Sequence, residues 1–117
     1  MEEYNYLIIL YDYYGELLTD KQQKYFEDYY FNNLSLGEIS ENESLSRNAI
    51  HKNIKTAEEK LYFYEEKLGL YQKKEQVEKL INNINNEEIK NKIREILWQI
   101  ENTKCIMIIV SELKEVF

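Results

Sequence analysis

Apolar positions along this chain recur at helical intervals, and the segments between them carry helix starts and stops rather than the closely spaced turns that short strands need. Tyr4, Leu7, Ile8, Tyr11 and Tyr14 lie three or four residues apart and Gly15 follows them, so the first segment reads as a short amphipathic helix. Thr19-Asp20-Lys21-Gln22 fits a capping box, in which the threonine hydroxyl accepts from a backbone N–H and the glutamine reciprocates. It predicts a second helix from Asp20 to Tyr30 or Phe31, with Tyr25, Phe26, Tyr29 and Tyr30 facing inward and the turn formers Asn32-Asn33 ending it.

A second capping box, Ser35-Leu36-Gly37-Glu38, starts a brief helix through Asn42 whose inward residues are Leu36 and Ile39. Ser46 then caps a long helix, because Ile50, Ile54, Ala57, Leu61, Tyr64 and Leu68 repeat every three or four residues and Gly69 supplies a stop. Val77, Leu80, Ile81 and Ile84 form a further stripe that ends among Asn82, Asn83, Asn85 and Asn86. From Glu87 the residues Ile89, Ile93, Ile96, Leu97 and Ile100 make another amphipathic helix, with acids at its N-terminus where the macrodipole favours them. The segment 103–117 contains Cys-Ile-Met-Ile-Ile-Val, β-branched enough for a strand but with no partner strand elsewhere. It is read as helix, because Ile100, Met107, Val110, Leu113 and Phe117 fit one continuing face.

Composition agrees with an all-α domain. Proline is absent, glycine occurs three times and 44% of residues are apolar, which excludes both disorder and a membrane protein. The longest apolar run, Cys105 to Val110, is far short of the roughly 20 residues that cross a bilayer. One cysteine forms no internal disulfide, and the acidic start Met1-Glu2-Glu3 is unlike a secretory signal, so a reducing cytoplasm is expected. Lys, Asn, Ile and Tyr together fill 50 of the 117 positions, a bias of the kind AT-rich codons produce, and it lowers the weight of any single Tyr or Asn. The eight tyrosines among the first 30 residues suit core packing at helical spacing, with a stacking platform for unpaired bases as the sharper alternative.

Charge changes the picture most. The chain has 22 acidic and 15 basic side chains, a net −7, which argues against a uniformly positive nucleic-acid surface. Residues 1–34 hold seven acids and two bases, whereas residues 44–57 hold Arg47, Lys52 and Lys55 and no acid at all. Two helices joined by a turn of three or four residues, the second starting at Ser46, have the spacing of a helix-turn-helix. Ile39, Leu45, Ile50 and Ile54 supply its apolar positions, and Ser40 the small side chain where the helices approach. Arg47, Asn48, His51, Lys52 and Lys55 are then the outward residues of the second helix, donors suited to base edges and phosphates. The same helices can equally serve packing or protein contacts alone. His51 has no second histidine or clustered cysteine to make a metal site, Cys105 reads as a small buried hydrophobe, and no catalytic constellation or phosphate loop appears. No cofactor is expected, and the chain is not expected to be an enzyme.

The stretch Leu17 to Lys73 resembles the YlxM family, to which a helix-turn-helix is ascribed and whose genes lie beside signal recognition particle genes in Gram-positive bacteria. The markers are LLTDKQ at 17–22, SLGEI at 35–39, SRNAI at 46–50 followed by Asn53-Ile54-Lys55, and YEEKLGLY at 64–71. The central part is also similar to region 4 of sigma-70-type sigma factors. The resemblance implies an N-terminal helix-turn-helix bundle with a long recognition helix, DNA binding, and regulation of the signal recognition particle pathway. The alternative it leaves is a non-catalytic adaptor for that particle's proteins or RNA. Two positions depart from the motif. Glu43 stands where an apolar residue normally closes the helix-turn-helix, which implies an early helix end or a solvated carboxylate, and Ser44 replaces a common turn glycine. The expected organisation is a helix-turn-helix domain over 1–70 and a helical extension over 71–117, whose apolar surface predicts a homodimer.

Overall fold

The computed structural model describes residues 2–101, and over them it is all-helical. Six α-helices follow in order: α1 (Glu2–Tyr14), α2 (Asp20–Tyr30), α3 (Leu36–Glu43), α4 (Arg47–Leu68), α5 (Leu70–Asn82) and α6 (Glu87–Glu101), with one 3-10 turn at Gly15–Leu17. The expectations for Cys105 and for 103–117 lie outside the described residues.

The helix starts are made by the side chains whose spacing announced them. Thr19 Oγ1 accepts from Gln22 N at 3.2 Å while Gln22 Oε1 accepts from Thr19 N at 3.0 Å. Ser35 and Glu38 repeat the arrangement, both bonds at 3.1 Å. These bonds satisfy backbone donors that a helix N-terminus otherwise leaves orphaned. They also hold the Glu38 carboxyl below its usual range.

α4 is the spine. Its buried residues Ile50, Ile54, Ala57, Leu61 and Tyr64 form one stripe, against which α1, α2 and α3 all pack. Full burial of an aliphatic side chain of this size contributes about 1.5–3 kcal/mol, so the stripe organises much of the core. α1 offers Leu7, Leu10 and Tyr14 to it, and Leu17 at the end of the 3-10 turn and Leu18 after it add two more buried side chains. Gly15 admits the Tyr11 ring, which lies only 3.0 Å from where a Cβ would stand. That ring in turn stacks on Phe26 at 4.5 Å between centroids, and Phe26 stacks on Tyr30 at 4.3 Å. The tyrosines are therefore largely packing residues. Tyr29 differs from its expected inward position: it is 38% exposed, because α2 buries Tyr25, Phe26 and Tyr30 and turns the Tyr29 face outward. Tyr4 also lies at the rim, its hydroxyl donating to the Tyr30 carbonyl at 2.5 Å.

Gly69 ends α4 at φ +62° and also begins α5, yet it has no side chain with which to cap the new helix. Two residues from other helices do so instead. Glu65 accepts from the backbone N–H groups of Tyr71 and Gln72 at 3.2 and 3.1 Å, and the buried Tyr14 hydroxyl accepts from Leu70 N at 3.0 Å. Tyr14 then donates to Glu65 Oε1 at 2.5 Å, closing the network and fixing α5 to α1. Beyond this joint α5 and α6 form a hairpin, pinned by Arg94, which donates to Asn82 Oδ1 at 3.3 Å. The radius of gyration is 17.2 Å, against about 13 Å for a compact chain of this size, so the hairpin extends the body. No helix of the described residues is long and apolar enough to cross a membrane.

Two outcomes follow from these tyrosines. Burial first, and then hydrogen bonds to Glu65 and Glu58, push the Tyr14 and Tyr30 hydroxyls well above their ordinary value of 10.0. The folded state thus keeps protons that the unfolded chain releases, so their contribution to stability is complete below that value and is lost as pH rises above it. Tyrosinate absorbance should show these two phenols ionising only together with the helical circular dichroism; their ionisation with that signal intact would contradict the packing. Glu65→Ala leaves the buried Tyr14 hydroxyl and two N–H groups without their acceptor, and is expected to cost about 2 kcal/mol in a denaturant titration.

Candidate nucleic-acid interface

α3 and α4 meet through the three residues Ser44, Leu45 and Ser46. Ser46 caps α4 as its sequence position indicates, its Oγ accepting from Ala49 N at 3.1 Å. Ser40 does more than provide room between the helices. Its carbonyl accepts from the backbone N–H of Ser44 and, at 3.2 Å, from that of Leu45, while its hydroxyl donates to the Leu45 carbonyl. One residue, through its backbone carbonyl and its hydroxyl, therefore clamps the turn from both directions. Its small size was the legible signal; the hydrogen bonds depend on where the turn places the Leu45 carbonyl.

Two expectations about this turn, those for Leu45 and Glu43, change with the structure. Leu45 is 41% exposed rather than part of the apolar closure, because the turn uses its backbone and leaves Ile39, Ile50 and Ile54 to fill the core beneath. Glu43 neither shortens α3 nor stands solvated: it is the last residue of the helix and pairs with Lys24 of α2. Ser44 takes the left-handed conformation at φ +56° that glycine adopts without steric cost.

The outward residues of α4 all remain exposed. Arg47, Asn48, His51, Lys52 and Lys55 occupy the first nine residues of the helix, a track about 12 Å long at 1.5 Å per residue. At about 100° per residue, Asn48, Lys52 and Lys55 point away from the buried stripe, and Arg47 and His51 lie about 60° and about 100° to one side. On that side stands α3. A Cβ built on Gly37 would lie 3.9 Å from Arg47 Nε, an ordinary van der Waals contact, so the guanidinium sits beside the first turn of α3. The positive track ends where Glu59, Phe63 and Glu66 take over the exposed face of α4. The polar residues Asn53 and Thr56 do not extend it, since they donate to the backbone carbonyls of Ala49 and Lys52 at 2.9 Å each. Among the described residues no group of three His, Cys, Asp or Glu side chains is placed to hold a metal ion.

The left-handed Ser44 generates one expectation. An L-residue with a Cβ pays about 1 kcal/mol or more in that conformation, so Ser44→Gly should raise the melting temperature while preserving helix content. A lowered melting temperature would show that the serine side chain contributes to the turn more than its conformation costs.

Three comparisons give this geometry its relatives. A family model described as "Putative helix-turn-helix protein, YlxM / p13 like", UPF0122, matches residues 1–100. The chain is 49% identical over 83 residues to a UPF0122 protein of Caldanaerobacter subterraneus subsp. tengcongensis, covering 71% of each. It is 42% identical over 106 residues to a UPF0122 protein of Listeria innocua serovar 6a, covering 86% of this chain and 96% of the relative. The chain belongs to the UPF0122 family of YlxM/p13-like helix-turn-helix proteins.

Proposed function

We propose that this protein is a DNA-binding regulator that enters the major groove of duplex DNA with the first turns of α4. The observation that carries this reading is the confined positive track: three cations, an asparagine and a histidine on one exposed face of the second helix of a helix-turn-helix. Its length of about 12 Å matches the width of the groove. Arg47, Asn48, His51 and Lys52 lie nearest the base edges, and Lys55 nearer phosphate. Outside this track residues 1–70 carry fourteen acids and four bases and residues 71–101 are neutral, so a polyanion is attracted only along this helix, which makes binding modest, salt-sensitive and dependent on orientation. No catalytic role is assigned. In this reading the regulator acts in the cytoplasm and within the signal recognition particle pathway, the latter resting on the resemblance of residues 17–73 to YlxM proteins.

A second reading, a non-catalytic adaptor for the particle's proteins or RNA, is favoured by one feature. Glu38 and Glu41 are exposed acids on α3, the helix that in a helix-turn-helix crosses the phosphate backbone. Affinity purification of the tagged chain from its own cytoplasm, with sequencing of bound nucleic acid and identification of bound protein, separates the two. Particle RNA or protein without duplex DNA supports the adaptor, and duplex DNA alone overturns it.

For the DNA reading, fluorescence anisotropy with mixed-sequence duplex at low salt should detect binding by the unaltered protein. Arg47→Ala with Lys52→Ala should weaken it tenfold or more and flatten the slope of log affinity against log salt by about 2. Binding unchanged by the double substitution, or no binding at low salt, would sink the proposal.

A further inference from the structure

The α5–α6 hairpin carries an apolar stripe that the main core does not use. Ile81 of α5 is buried but lies outside the core cluster of the body, so the hairpin has a small contact of its own. On α6, Ile89 and Ile96 remain 47% and 56% exposed, and Leu80 of α5 is 67% exposed. Ile89, Ile93, Ile96 and Ile100 are separated by four, three and four residues. That is the spacing of a coiled-coil seam, a pattern that packs best against another helix of the same kind. The cations beside it are matched within α6 itself, Lys90 with Glu87 at 3.5 Å and Lys92 with Glu88 at 3.7 Å.

Charge says what the partner is. Residues 1–70 hold fourteen acidic and seven basic side chains, a net −7, whereas residues 71–101 hold six of each and are neutral. A basic partner would be drawn to the body rather than to this arm. Two copies of the chain repel each other through their bodies and meet without that repulsion only at the arm, where apolar area is exposed as well. We propose that α6 packs against α6 of a second copy, with Ile89, Ile93 and Ile96 in the seam, and that this contact makes a two-fold homodimer. The dimer stands independently of the DNA reading. Where both hold, it presents two α4 helices to a paired site and converts one modest contact into two linked ones.

Light scattering on the full chain at micromolar concentration tests it. The expected mass is twice 14.3 kDa, falling to 14.3 kDa for Ile89→Glu with Ile96→Glu and remaining double for Asn91→Glu on the opposite side of α6. A native mass of 14.3 kDa, the result if another part of the chain or a different protein covers the stripe, overturns the proposal. So does a doubled mass that the two glutamates leave intact. If the double variant loses its helical signal, Ile96→Cys on a Cys105→Ser background should react with maleimide more slowly at micromolar than at nanomolar concentration, and Asn91→Cys on the same background should not; equal rates overturn it. Because these substitutions leave α4 untouched, a dimer that ignores DNA and a monomer that binds it separate the two proposals.

Discussion

One helix carries two obligations, and the arrangement of the protein follows from reconciling them. α4 must bury Ile50, Ile54, Ala57, Leu61 and Tyr64 over most of its 22 residues, and it must keep the opposite face of its first turns open. A helix can do both only if its partners approach from one side. α1, α2 and α3 do so, and the body is in effect a cradle for the apolar stripe of α4. The direction in which Asn48, Lys52 and Lys55 point is then a consequence of where the stripe lies, since all eight residues share one rigid backbone. Positioning a binding surface on a packed helix rather than a loop holds its geometry tightly.

The joints of the fold are made by polar side chains reaching across sequence. Ser40 closes the helix-turn-helix turn through three hydrogen bonds around Leu45 and Ser44, and Glu43 ties the end of α3 to Lys24 of α2. Tyr14 and Glu65 together receive the first three N–H groups of α5. At two of these joints backbone groups that would otherwise be orphaned find partners, the start of α5 in Tyr14 and Glu65 of other helices and the turn after α3 in Ser40 of α3 itself. The cost of leaving such groups unpaired is what makes these joints specific, and it explains how a chain without proline and with few glycines can turn sharply.

Charge is divided along the same lines as structure. The acidic excess belongs to residues 1–70, yet α4 begins with a positive track, and the α5–α6 arm is neutral. An acidic body resists coating by polyanions, while the short cationic track permits contact in one orientation. The neutrality of the arm is the feature on which the proposed dimer rests. Net charge alone describes none of these surfaces.

Much of this architecture was determined by sequence alone. The helix count through residue 101, both capping boxes, the Ser46 cap, the Gly69 stop and the buried stripe of α4 follow from local periodicity and from side chains that bond within four residues of themselves. The outward placing of Arg47, Asn48, His51, Lys52 and Lys55 was legible for the same reason, because a helix's exposed face is fixed once its buried face is known. What only the tertiary structure decided involves residues far apart or rims where packing chooses among apolar candidates. Tyr29 and Leu45 lie outward although their type suits a core, because neighbouring helices cover Tyr30 and Ile39 instead. The Glu43 pair with Lys24 and the capping of α5 by Tyr14 bridge 19 and 56 positions of chain, distances over which no local pattern carries information. Spacing decides which face of a helix is buried, and only the approach of another helix decides what touches it.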